Sequence, residues 1–127
     1  MALFTNIKMK RKAKNEKKLL AEKWNKLCEM WSNGTLCTPY NELFSYDSNI
    51  QGEGHLCFFD NNKENLNDLI KILLENLLAK LSTNLKEAFE LYKTSKYTED
   101  SFTKYDNFYY ENEELLIYIL EDYSKEL

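Results

Sequence analysis

His55 and Cys57 stand two residues apart, and with Cys28 and Cys37 they are the chain's whole stock of thiol and imidazole groups. A Cys3His set has the composition of a zinc site, because thiolates and an imidazole together satisfy a tetrahedral ion. The spacings match no zinc pattern, however. Cys28 also falls on an apolar helical stripe, where a thiol behaves as a small hydrophobe. A Cys/His nucleophile needs a third group to orient the base, and the sequence offers none that can be named. Glu113 and Glu114 are adjacent, so on a helix they point different ways and make no acid/base pair. The expectation is a protein that is not an enzyme and that holds no metal or cofactor.

Charge is the more telling property. Residues 1–30 carry nine Lys/Arg against Glu16, Glu22 and Glu29, a balance of +6 in a chain whose net charge is −4. The remainder holds eight lysines against eighteen carboxylates. Nine of those acids (Glu99, Asp100, Asp106, Glu111, Glu113, Glu114, Glu121, Asp122 and Glu126) lie in residues 97–127, opposed there only by Lys104 and Lys125. A basic head and an acidic tail either attract each other or seek separate partners.

The elements that must position these groups are helical. At 127 residues the chain has the length of one domain, and 43% hydrophobic content is enough for a packed core. From about Lys12 to Ser32, Leu20, Trp24, Leu27, Cys28 and Trp31 form one stripe, ended by Asn33-Gly34. Thr38-Pro39 reads as a cap and first helical proline for a second helix, with Leu43, Phe44 and Ile50 inward, stopping at Gly52. A third is expected from about Glu64 to Lys80. Its nearly apolar circumference predicts a central position. Ser82 or Thr83 should cap a fourth, residues 94–111 read as an aromatic-rich connection with room for a short helix, and Asn112 should cap the last. No strand pattern and no internal repeat appear. The fold expected is all-α, a single domain over 1–127 with five or six helices, a basic extension at 1–18 and a glycine turn after the second helix. Apolar runs are too short to cross a membrane, and the three cysteines suit a reducing, cytoplasmic setting.

One stretch reads as a signature. Tyr46 to Asn61 contains Gly52, Gly54, His55, Cys57 and the pair Phe58-Phe59. Asp47 falls among Leu43, Phe44 and Ile50, and a buried carboxylate needs local donors, here the His55 ring or backbone N–H groups of residues 52–58. The segment is expected to be a structural hinge, with Phe58 and Phe59 plugging the turn onto the core.

These residues resemble the domain-of-unknown-function family named for a bacterial DNA-mimic protein, over about residues 24–123. Asp47, Ile50, Gln51, Gly54, His55, Phe58, Phe59 and Asn61 match its motif, acid-x-x-Val-(Asn/Gln)-Asn-Gly-Gly-(Phe/His)-x-Gln-(Tyr/Phe)-Phe-x-Asn. Gly52, Glu53 and Cys57 depart from it. The resemblance implies an all-α fold and, from the family's namesake, a homodimer whose acidic surface imitates the phosphate backbone. The matching expectation is an acidic, tyrosine-rich face built from Glu99, Asp100, Asp106, Glu111, Glu114, Glu121 and Asp122, presented to a basic protein such as a regulator, nuclease or toxin. An immunity or antitoxin-type protein predicts the same face. A third reading is nucleic-acid binding through Lys8, Lys10, Arg11, Lys12, Lys14, Lys17 and Lys18, although no recognition motif accompanies them. No small-molecule substrate and no membrane partner are implied.

Overall fold

Helical periodicity is realised throughout the computed structural model, which describes residues 18–62 and 66–127. It is all-α, and no strand occurs among the described residues. The helices are α1 (residues 18–32), α2 (Tyr40–Asn61), α3 (Leu66–Glu75), α4 (Ala79–Thr94), a 3-10 turn (Glu99–Phe102), α5 (Thr103–Asn112) and α6 (Glu114–Ser124). The described residues fall into two compact units, one of residues 18–36 with 119–127 and a larger one within residues 37–118. No described helix is long and apolar enough to cross a membrane.

In the smaller unit Leu27, Leu36 and Leu120 are buried. α1 closes as its sequence predicts. Gly34 takes φ +71°, and the N–H groups of Gly34 and Thr35 bond the carbonyls of Trp31 and Met30. That is a Schellman closure with glycine at the left-handed position. Lys23 and Lys26 donate to the carbonyl oxygens of Lys125 and Leu127. The part of the first helix expected over residues 12–17, like the basic cluster at 8–17, lies outside the described residues.

In the larger unit the central element is α2, which packs against α3, α4, α5 and the 3-10 turn. α3 was expected to hold that place. Instead it buries one stripe, Leu66, Leu69 and Leu73, and leaves Leu74 exposed. The apolar run around it divides at residues 76–78, earlier than the Ser82 or Thr83 start expected for α4. The closure is again a Schellman motif: Leu78 N–H bonds Leu73 C=O, and Leu77 N–H bonds Leu74 C=O. Here the left-handed residue is Leu77, at φ +63°. A β-carbon in that conformation crowds the following carbonyl and costs roughly 1–2 kcal/mol, which glycine would avoid. No glycine or proline marks the break, so periodicity ran through it.

Three further caps differ from expectation. Thr38 donates its hydroxyl to Glu42 Oε1, in the first turn of α2, at 2.8 Å, and the helix start has no side-chain cap; the N-cap position is Pro39. Ser82 is buried inside α4 and donates to the Ile70 carbonyl, tying α4 to α3. Asn112 ends α5 instead of capping α6, its amide returning to the Phe108 carbonyl. The connection expected over 94–111 is mostly the 3-10 turn and α5, anchored by buried Phe102, Tyr105 and Tyr109.

Candidate functional site

The expected turn after Gly52 is a kink inside α2. Gly52 is helical, while Gly54 alone departs, at φ +80° and ψ 176°, and the helix resumes to Asn61. This corner of backbone space is essentially reserved for glycine. Breaking the ladder there frees the His55 N–H, and α5 supplies its acceptor. Asp106 Oδ1 takes the His55 backbone N–H at 2.9 Å and His55 Nδ1 at 2.6 Å. A carboxylate only accepts, so the network assigns the ring proton to Nδ1 and leaves Nε2 to accept from the Tyr46 hydroxyl at 2.7 Å. His55 and Tyr46 are both 0% exposed. Burial, and secondarily the charge of Asp106, push the Tyr46 phenol well above its ordinary value, so it keeps the proton it donates.

Asp47 was expected to serve His55 or the N–H groups of residues 52–58. That assignment is corrected: Asp47 is half-buried and accepts from Tyr109 Oη at 2.5 Å, with Gln51 Nε2 farther off at 3.4 Å. Burial and the bond to Asp47 raise the Tyr109 phenol far above its normal range. Gln51 also donates to Glu113, and Tyr110 Oη donates to the Ile50 carbonyl at 3.1 Å. The signature therefore spells a polar seam between α2 and the residues from α5 to Glu113. Ile50, Phe58 and Phe59 are its apolar side, and Asn61 lies exposed at its end.

Glu113 gives the seam a pH signature. Burial first, then Asp47, raise its carboxyl above the ordinary 4.5, and the Gln51 bond opposes them. A raised folded value means that the folded state binds this proton more tightly than the unfolded chain. Its stabilising contribution is complete below 4.5 and is lost as pH rises through the folded value. Glu113→Gln keeps an acceptor for Gln51 and removes the charge. Its stability relative to wild type should rise as pH climbs from about 4.5 towards neutrality, by about 0.5 kcal/mol or less at a site still partly open to water. Urea midpoints across that range test this; a gap that is constant with pH would refute it.

The acidic face is reached only in part. Glu99, Asp100, Glu111, Glu114, Glu121 and Asp122 are exposed, but Asp106 is not a surface acid: it is 25% exposed and turned onto His55. Its removal from the face is a correction, caused by the α2 kink that needs an acceptor. Glu99 and Asp100 sit on the 3-10 turn, and Glu121 and Asp122 belong to the smaller unit. What the larger unit does bring together is Glu111 and Glu114, which line a groove of about 690 Å³ with Lys80, Leu77, Leu115 and Tyr118. The last three are 84, 48 and 58% exposed. Among the described residues the Lys–carboxylate ion pair is Lys71–Glu75; Lys80 makes none with Glu111 or Glu114. Of the tyrosines in residues 97–127, Tyr110 and Tyr118 are exposed, Tyr97 and Tyr123 are half-buried, and Tyr105 and Tyr109 are core.

The soft ligands do not converge. Cys28 is half-buried, with its thiol pushed up by burial, Cys37 and Cys57 are exposed, and both His55 ring nitrogens already have partners. Among the described residues no cluster of three metal-capable side chains occurs. No protein-family model matches the chain, and neither the curated proteins nor the solved structures contain a match.

Proposed function

We propose that this chain is a non-enzymatic interaction domain whose acidic, tyrosine-bearing face engages a basic protein, in the manner of a DNA mimic or of an immunity or antitoxin-type protein, in the cytoplasm. The observation that supports it is the pairing of exposed Glu111 and Glu114 with exposed Tyr118 around one groove, with no lysine ion-paired to either acid among the described residues. Acid plus tyrosine suits a basic interface, because tyrosine anchors while carboxylates steer. The Tyr46–His55–Asp106 chain looks like a relay, but its hydroxyl and ring are wholly buried, and a reacting substrate would have to reach them. That favours a structural role. The resemblance to the DNA-mimic family points the same way. Duplex DNA offers a charge about every 1.7 Å of axis, and withdrawal of Asp106 thins the face, so masking one basic partner suits it better than imitating a long duplex.

Charge reversal tests this. Glu111→Lys and Glu114→Lys together should abolish capture of a basic partner from the native host while leaving the urea midpoint nearly unchanged. Wild-type affinity should fall steeply towards ~0.5 M salt, where exposed charges are screened. Binding that ignores both salt and charge reversal would overturn the reading. Nucleic acid retained in place of protein would favour the basic segment at residues 8–18.

A further inference from the structure

Leu77 sits where its presence weakens the fold. It occupies the left-handed position of a Schellman closure at φ +63°, with 84% of its surface in water. The equivalent position after α1 is Gly34, also left-handed, at φ +71°. Burial cannot account for the leucine, and a strained, exposed apolar residue is the kind of outlier that points to a ligand. It does not stand alone. Leu115 and Tyr118, from the start of α6, are exposed on the same groove, and Glu111 and Glu114 line it against the single cation Lys80.

We infer that this groove is a docking site for a basic amphipathic helix of a protein partner, whose apolar row lies on Leu77, Leu115 and Tyr118 and whose lysines or arginines meet Glu111 and Glu114. Charge complementarity selects the occupant. Two carboxylates against Lys80 leave the lining net negative, so a wholly apolar segment strands that charge and an acidic one adds to it. The described residues offer no strand edge to extend, so the incoming segment must satisfy its own backbone, which a helix does. A groove of about 690 Å³ takes a row of side chains rather than a single one. This inference rests on the acidic-face reading and sharpens it: charge brings the partner, and the leucine and tyrosine hold it.

The probe is a synthetic lysine-rich helix with a leucine row at i, i+3 and i+7, titrated by fluorescence anisotropy beside a scrambled peptide of equal charge. The helix should bind at least about fivefold more tightly than the scramble. Leu77→Gly should weaken the helix roughly five- to thirtyfold and at the same time raise the protein's urea midpoint. Those opposite directions separate a binding role from a structural one. Tyr118→Ala should weaken the helix comparably. If helix and scramble bind equally and lose affinity alike on Glu111→Lys, the groove inference falls while the acidic face stands. If neither binds, both fall. If Leu77→Gly instead dissolves a dimer seen by sedimentation equilibrium, the occupant is a second copy of the chain, and the inference is overturned.

Discussion

Asp106→Ala is expected to destabilise the protein by about 2–4 kcal/mol, and Asp106→Asn by only about 1 kcal/mol. The difference follows from which oxygen does the work. Both bonds to His55, from its backbone N–H and from Nδ1, end on Oδ1. Asparagine can keep an oxygen there and lose only the charge that strengthens the bonds. Alanine leaves two donors against a fully buried ring, and the quarter of the Asp106 side chain that is exposed lets water repair only part of the loss. The kink carries the second half of the argument. A β-carbon on Gly54 would stand 2.8 Å from Asp106 Oδ2. Gly54→Ala should therefore cost about 1–3 kcal/mol in backbone strain and push the carboxylate off His55 as well. Because the two substitutions damage the same contact, the double variant should lose less than their sum. Urea titrations of the four variants and wild type decide it. An alanine variant no weaker than the asparagine one would show that Oδ1 is not the anchor.

How much of this was written in the sequence depends on distance along the chain. The helices, the stripe of α1 and its glycine closure were legible because they are local, set by residues three to five apart. So was the special standing of residues 46–61, since two glycines and a histidine there interrupt an otherwise amphipathic pattern. The seam was legible from one side only. Asp47, Gln51 and His55 all needed partners, but the pattern could not say that Tyr109, Glu113 and Asp106 would provide them from some 50 to 60 residues away. Local reading therefore gave Asp47 the donors of its own segment, His55 and nearby N–H groups, whereas His55 serves Asp106, an acid counted among the surface charges. Leu77 escaped for a different reason. Helix ends are read from glycine, asparagine and proline, and the one such residue here, Asn76, stands before the left-handed position, which a leucine fills without any sign of its own. Its exposure only became informative once α3 was seen to stop at Glu75.

The apolar half of the signature should be the most costly to remove. Phe59 is fully buried, and its ring lies 5.3 to 6.0 Å, centroid to centroid, from the rings of Phe58, Phe89, Tyr92, Phe102 and His55. It is the point where α2 meets α4 and the 3-10 turn. Phe59→Ala should cost about 3–5 kcal/mol, the lost transfer energy of the ring plus a cavity that five aromatic neighbours are too stiff to fill. Phe89→Ala is the control, because Phe89 shares the cluster but is half-buried, and should cost about 1–2 kcal/mol. Against a total stability of about 5–15 kcal/mol, the first change should flatten the near-ultraviolet circular dichroism of the aromatic cluster. It would also release His55, whose ring packs on Phe59, so the Phe59→Ala and Asp106→Ala losses should fall short of additive. Additive losses would mean that the polar seam and the aromatic cluster are independent, and the signature would then be two features rather than one.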